Sequence, residues 1–453
     1  MNIQKELICE YGGCPMNPIA KELNQIIQSE NPHLMEMLSA VGKQLFFPKG
    51  ILSQSAEARE KAHKLNATIG IATEADDIMC FDSVKDSIKD IPPNASLTYA
   101  PSFGIPGLRK AWQASLFEKN PSLAGKTISL PVVTCGITHG ISTFADVWID
   151  PGDVVILPDM LWGNYNMIFD LRKAARVRSY PIFTSSGAFN VKAFEETVRD
   201  EARKNKKIIV LLNFPHNPTG YTATHQEGDQ IVSILTDIAG SGNHVLAVLD
   251  DAYFGLFYEP ETLKESLFAK LSGQDPRLLA VKLDGGTKEN YVWGLRVGFI
   301  TYGLQAKTDP AAVYDALEKK TAGCIRGNIS NASHLGQSIV LKSMQNENFT
   351  AEKQAKFNIL KKRANTVKAV LSDPKYQGAW DVYPFNSGYF MCIRLKSVNA
   401  EKLRVHLLET YGVGLISIGK DNLRVAFSCL EEKDIQTLFD IVLQGVQDLQ
   451  EGV

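Results

Sequence analysis

KIIVLLNFPHNPTG, residues 207–220, and HVLAVLDDAYFG, residues 244–255, each carry an unbroken apolar run straight into a cluster of polar residues. Apolar residues without polar alternation, over so short a length, mark a strand buried on both faces. The same form recurs in SLPVVTC (129–135), DVVILP (153–158), RLLAVKLD (277–284) and RVGFITY (296–302). Helical patterns at 138–148, 162–174, 191–204 and 226–239 separate the runs and are long enough for right-handed crossovers. The expectation is an α/β architecture with a mostly parallel central sheet flanked by helices. From about residue 336 a long, mostly polar helical stretch leads to YFMCIRL (389–395) and NLRVAFS (422–428), a pattern that fits a smaller α+β module. No internal repeat or low-complexity linker interrupts the chain.

A length of 453 residues suits two or three domains with a substantial core. The 44% hydrophobic and 22% charged fractions are those of a folded, water-soluble protein, far from disordered or fibrous compositions. Forty-eight basic residues against fifty acidic ones give a net charge of -2, so no overall field draws the chain to nucleic acid or to an anionic membrane. The opening MNIQKELICEYGG lacks the layout of a secretory signal, and no stretch approaches the roughly 18 apolar residues of a membrane helix. A cytoplasmic protein is expected. Seven scattered cysteines, an odd number, fit reduced thiols better than a disulfide framework. Cys9 and Cys14 have no second Cys or His pair nearby, so no metal site is expected.

In open parallel sheets ligands bind beyond the carboxyl ends of the strands. There the sequence places Asn217, Asp250, Tyr253, Lys288 and the glycine-containing turn GITHG (136–140). Each is ordinary alone: HNPTG makes a turn, Asp250 caps a helix, Lys288 is a surface lysine, and GITHG opens a helix. Their occurrence at successive strand ends is what points to a site.

With NATIG (66–70), YAPSFG (99–104), WGN (162–164), HNPTG (216–220), D-x-A-Y (250–253), the Lys288 to Arg296 interval, R-x-x-x-S-N (326–331) and Arg424 in this order, the chain resembles the fold-type I pyridoxal-phosphate enzymes. Within them it is most similar to the class I aminotransferases of the aspartate and aromatic branch. The resemblance runs from about Asn66 to the Arg424 region. It implies a large cofactor-binding domain over 80–345 and a small domain built from 1–79 and 346–453.

The resemblance also implies roles. Lys288 forms the Schiff base with pyridoxal 5'-phosphate and then carries a proton, a task suited to an amine whose pKa burial or a neighbouring cation lowers. Asp250 pairs with the pyridine nitrogen, and Asn217 and Tyr253 bond the ring hydroxyl oxygen. Arg296 meets the phosphate with its planar fork, joined by Thr287 and by backbone donors of Gly136, Ile137 and Thr138 at a helix start. Trp162 stacks on the ring, and Tyr99 reaches the phosphate of a neighbouring subunit, which implies a homodimer with shared sites. Arg424 and the backbone at Gly70 hold the substrate α-carboxylate, while Arg326 matches the arginine for a distal carboxylate.

Three positions depart from the pattern. Gly285 stands where a phosphate-binding serine is usual, Tyr165 replaces a histidine after WGN, and ASHLG follows Asn331 in place of a diproline. The implied activity is amino transfer from a dicarboxylic or aromatic L-amino acid to a 2-oxo acid such as 2-oxoglutarate, through a pyridoxamine intermediate. Two alternatives stay open: a β-lyase or decarboxylase on the same cofactor, and a non-catalytic module that senses it. Against the last, only about 65 residues precede NATIG, without a basic helix-turn-helix pattern.

Overall fold

The computed structural model describes residues 16–47, 50–75 and 77–452. Among them, seven strands form the main sheet: β1 (Val132–Thr134), β2 (Val154–Pro158), β3 (Arg176–Tyr180), β4 (Lys207–Asn213), β5 (His244–Asp250), β6 (Leu278–Asp284) and β7 (Gly298–Gly303). Their spatial order is β1-β7-β6-β5-β4-β2-β3. All pairings are parallel except those of β7, which runs against both β1 and β6. The exception has a covalent cause. Between β6 and β7 the chain forms only the four-residue helix Gly286–Glu289 and one 3-10 turn, Trp293–Leu295. That is too little for the long crossover a parallel return demands.

Every residue of β1, β2 and β7 is buried, as are all but the first of β4 and of β5. Helices cover the sheet, among them α1 (Gly136–Trp148), α2 (Val191–Lys204) and α3 (His225–Gly240). Strand β3 was not foreseen from the apolar runs: it is an edge strand with Arg176, Arg178 and Ser179 exposed, so it carries no apolar signature. The helix expected at 162–174 is a π-helical segment, Asn166–Arg172.

Past α4 (Ala311–Asn328), the helical stretch expected as one piece is two helices, α5 (His334–Met344) and α6 (Phe349–Leu371). A second sheet follows, β8 (Trp380–Val382), β9 (Phe390–Leu395), β10 (Ile416–Ile418) and β11 (Asn422–Ala426), antiparallel throughout in the order β8-β9-β11-β10. Leu65–Asn66 pairs with Val413–Gly414, which ties the segment carrying Gly70 to this module. A single apolar cluster runs from the main sheet into the second one. Among the described residues no helix is long and apolar enough to cross a membrane.

With β7 alone reversed, the carboxyl ends of the other six strands share one rim. The register sets Asn213 beside Asp250, and Asp250 beside Leu283, one residue before the turn that leads to Lys288. Thr134 at the end of β1 faces Gly298 at the start of β7, so the first turn of α1 and Arg296 meet at the same rim.

Candidate active site

At this rim lies a cleft of about 140 Å³ whose lining includes Asp250, Tyr253, Lys288 and Asn217. Ile137, Thr138, Thr287 and Arg296 also line it, as do Trp162 and Tyr165. Nine of the positions singled out in the sequence are thus brought together. Asn213 and Ala252, which also line it, were not singled out, and Tyr165 was named only as a departure from the pattern.

Asp250 is 3% exposed. Burial pushes its carboxyl up to about 6, against the pull of Tyr165, Lys288 and the Ala252 amide. The Tyr165 hydroxyl donates to Asp250 Oδ2 at 2.5 Å, and the Ala252 N–H donates to Oδ1 at 3.2 Å. From the opposite side Asn213 Nδ2 donates to the Asp250 carbonyl at 2.7 Å, while its Oδ1 accepts from the Asn217 N–H at 2.8 Å. Asn213 therefore locks the two strand ends to each other. Tyr165 is the residue the motifs missed: it was seen only as a departure, although it sits three residues after Trp162, on the same rim. Asp251 points away, accepting from Ser266 Oγ and pairing with Lys282, as its opposite parity demands.

Lys288 sits in the short helix after β6, half-buried, its Nζ 4.8 Å above the Tyr253 ring. Burial and, to a smaller extent, the Arg296 charge lower its pKa to about 8, with Asp250 opposing. A far larger share of this amine is neutral near pH 7 than of an exposed lysine, which leaves it available as a nucleophile. Burial also raises the Tyr253 phenol, so its hydroxyl remains a donor.

Part of the cleft suits a phosphate. No side chain caps α1, so its first N–H groups are free to meet an anion. Thr287 Oγ1 is buried without a partner. Arg296 adopts a left-handed backbone (φ +55°), and only its Nη1 is tied, to the Trp293 carbonyl at 3.1 Å. A Cβ on Gly136 would lie 2.4 Å from Arg296 Nη2, so a glycine there lets the guanidinium lie against the helix start. The departure at Gly285 has a packing reason: a Cβ would lie 2.5 Å from the Val297 carbonyl oxygen. An anion placed here would be met by Thr287, Arg296, Thr138 and backbone amides.

Arg424 on β11 is 2% exposed. Its Nη1 donates to Asn217 Oδ1 at 3.2 Å, its Nη2 to the Thr68 carbonyl at 2.8 Å, and its guanidinium lies 4.2 Å over the Phe390 ring. Nε is buried without a partner, and the two hydrogen bonds go to an amide oxygen and a backbone carbonyl, not to a carboxylate. A buried cation so placed is an acceptor-seeking group beside the cleft. Gly70 adjoins it, with a would-be Cβ 3.3 Å from the Phe390 ring and 3.6 Å from the Tyr253 hydroxyl.

Tyr99 and Arg326 are not in this cleft. Tyr99 is 89% exposed, and Arg326 is exposed at the end of α4 with Nη1 donating to Ser330 Oγ at 2.6 Å. Ser102 Oγ donates to the Ser330 carbonyl at 2.7 Å, which joins their two segments into one face. Cys9 and Cys14 lie outside the described residues. Among the described residues no group of three or more His, Cys, Asp or Glu is placed to hold a metal.

The family model described as "Aminotransferase class I and II" matches residues 62–442. The aspartate aminotransferase of Pyrococcus horikoshii is 24% identical over 399 residues, 85% of this chain and 93% of that protein. The aspartate aminotransferase of Bacillus sp. is 26% identical over 268 residues, 58% of this chain and 64% of that protein. Among solved structures, an aminotransferase from Anaerococcus prevotii superposes with a TM-score of 0.80 at 24% identity, covering 91% of this chain and 99% of that one. Pyrococcus horikoshii kynurenine aminotransferase superposes with a TM-score of 0.76 at 15% identity, over 92% and 98%.

Proposed function

The chain belongs to the aminotransferase class I and II family, enzymes that transfer amino groups, and we propose that it works with pyridoxal 5'-phosphate held in the cleft beside Lys288. Its substrates in this proposal are a dicarboxylic or aromatic L-amino acid and a 2-oxo acid such as 2-oxoglutarate. The observation that carries the reading is the meeting of an amine of lowered pKa, Lys288, and a buried carboxylate, Asp250, in one cleft, part of which suits a phosphate.

When bound, the cofactor supplies an electron sink for the charge left at the substrate α-carbon as its proton departs. The chain's own residues do the rest. Asp250 would hold a proton on the ring nitrogen, with the Tyr165 hydroxyl favouring its ionised form and orienting it. Asn217, Tyr253 and Trp162, which line the cleft, would hold the cofactor ring. Arg296, Thr287, Thr138 and the N–H groups of Gly136 and Ile137 take the phosphate. Lys288 would hold the cofactor through Nζ, and its amine, with its lowered pKa, would move the proton to and from the substrate α-carbon. Arg424, with the backbone at Gly70, would orient the α-carboxylate, supported by its burial with only neutral partners and an unpartnered Nε.

The same proposal divides the chain into a large domain over 80–345 and a small one from 1–79 and 346–453. It also makes the protein a cytoplasmic homodimer. Leu97, Tyr99, Ile329 and Leu335, between 36% and 89% exposed, lie on the two segments that Thr98–His334 and Ser102–Ser330 hydrogen bonds join, which supports docking of a second copy there. Tyr99 and Arg326 would then serve the partner's cleft. Sedimentation with mixed dimers tests this: Lys288→Ala and Tyr99→Phe chains, each impaired alone, are expected to recover part of the activity when mixed. Absence of recovery in a stable mixed dimer contradicts shared sites.

A further inference from the structure

Between the two-residue strands Leu65–Asn66 and Thr73–Glu74 the chain passes through residues 67–72 with no regular structure, and Gly70 lies within this strap. Backbone outside helices and sheets must find partners elsewhere for its carbonyls, and here they come from the far end of the sequence. The Ala67 carbonyl accepts from the Ala426 N–H at 2.9 Å, and the Thr68 carbonyl from Arg424 Nη2 at 2.8 Å. The Ile69 carbonyl accepts from Cys429 Sγ at 3.0 Å. The Ile71 carbonyl accepts from both Ser428 Oγ at 2.7 Å and Cys429 Sγ at 3.1 Å.

Ser428 and Cys429 lie in the 3-10 turn Phe427–Cys429 directly after β11, the strand that carries Arg424. A thiol has one proton, so that of Cys429 is shared between the carbonyls on either side of Gly70. Burial raises the pKa of this thiol, which therefore stays protonated and able to donate. Arg363 on α6, 2% exposed, closes the arrangement. Its Nη1 donates to the Thr73 carbonyl at 2.8 Å and to the Ser428 carbonyl at 2.7 Å, and its Nη2 pairs with Glu431 at 2.8 Å. Three side chains thus bind the strap to the turn after Arg424. Gly70 itself faces the cleft residue Tyr253, whose hydroxyl a Cβ would meet at 3.6 Å.

We propose that Cys429, supported by Ser428 and Arg363, is a positioning residue for the amino-acid substrate. By holding the carbonyls on both sides of Gly70 it fixes that backbone against Arg424, so that both halves of the α-carboxylate site stand assembled before a substrate enters. The proposal rests on the reading of Arg424 and Gly70 as that site. Such preorganisation favours binding because a segment left free must be ordered at the expense of affinity. Serine can replace the thiol as a donor, and alanine cannot. Bonds that served only the fold would change stability and leave substrate affinity untouched.

The test is calorimetric titration of the full chain, loaded with pyridoxal phosphate, with succinate and 3-phenylpropionate, carboxylates that have no amino group to transfer. Cys429→Ala is expected to raise the Kd of whichever acid the native protein binds about threefold to tenfold, as loss of one hydrogen bond would. KM for amino acids should rise by the same factor, with kcat changed less than about twofold and pyridoxal phosphate affinity unchanged. Cys429→Ser is expected to stay within about twofold of the native protein. Hydrogen exchange at residues 69–71 should quicken in Cys429→Ala and not in Cys429→Ser. Ser428→Ala removes a separate bond to Ile71 and should act in the same direction, which keeps the proposal testable should Cys429→Ala fold poorly. With an acid bound by the native protein, an unchanged Kd in the alanine variants, equal losses in Cys429→Ser and Cys429→Ala, or a parallel fall in cofactor affinity would each overturn the positioning role. Failure of the native protein to bind either acid would overturn the reading of Arg424 itself, and the positioning role with it.

Discussion

Tyr165→Phe removes one hydroxyl and little else from the cleft. In the native protein that hydroxyl donates to Asp250 Oδ2 at 2.5 Å, inside a site where burial has already raised the carboxyl to about 6. A hydrogen bond to a charged group contributes about 1.5–3 kcal/mol, and about 1.4 kcal/mol corresponds to one pH unit, so its loss moves the titration up by about one to two units. The sign follows from what the bond favours. It stabilises the ionised form, so removing it favours the protonated form and shifts the working window to higher pH. At pH 7 the ionised share of Asp250 falls from about nine tenths to between about one half and one tenth. Lys288 and the Ala252 amide still favour the carboxylate, and Asp251 still opposes it, so these terms are common to both proteins. The assay is the pH dependence of pyridoxal phosphate affinity for the cofactor-free protein, measured beside the acid limb of kcat/KM. Both midpoints are expected to rise together in the variant. Coincident midpoints in the two proteins, with the fold intact, refute the role given to Tyr165.

Further expectations concern the other groups of the site. Uptake of pyridoxal phosphate by Lys288 should accelerate as pH rises through about 8, where burial has lowered its pKa, and then level off; a rate that climbs steadily towards pH 10 contradicts an activated amine. Gly136→Ala places a Cβ 2.4 Å from Arg296 Nη2 at a φ of +76°, so it should weaken cofactor affinity by at least about tenfold through displacement of the arginine, as equilibrium dialysis would show. Arg424→Ala should raise KM for every amino acid by about a hundredfold or more, since it removes a buried charge-assisted contact. Arg326→Ala should raise KM for aspartate and glutamate while sparing phenylalanine, and an equal effect on all three removes the distal-carboxylate role.

The strands buried on both faces were legible because nothing polar interrupts them, and the rim residues followed from where those runs end. Strand β3 was hidden because an edge strand needs no apolar face, and Arg176, Arg178 and Ser179 point to solvent. The break between α5 and α6 was hidden because polar residues at helical spacing continue through 345–348. Tyr165 was visible as a substitution, but its partner was not, since the hydrogen bond joins residues 85 positions apart. Gly285 reads in sequence as a lost phosphate ligand, whereas its reason is the approach of the β7 segment at Val297. The bonds from Ser428 and Cys429 to the Gly70 strap join residues 357 and 360 positions apart and have no local signature at all.

The most direct test of the proposed amino transfer is a single turnover of the protein loaded with pyridoxal phosphate, given L-glutamate or L-aspartate without any 2-oxo acid. The expected result is 2-oxoglutarate or oxaloacetate equal in amount to the protein sites, the amino group retained on the protein until a 2-oxo acid is added, and no such product from Lys288→Ala. Release of ammonia or carbon dioxide would assign lyase or decarboxylase chemistry instead, and an unconverted amino acid with cofactor bound would contradict the dicarboxylic substrates proposed.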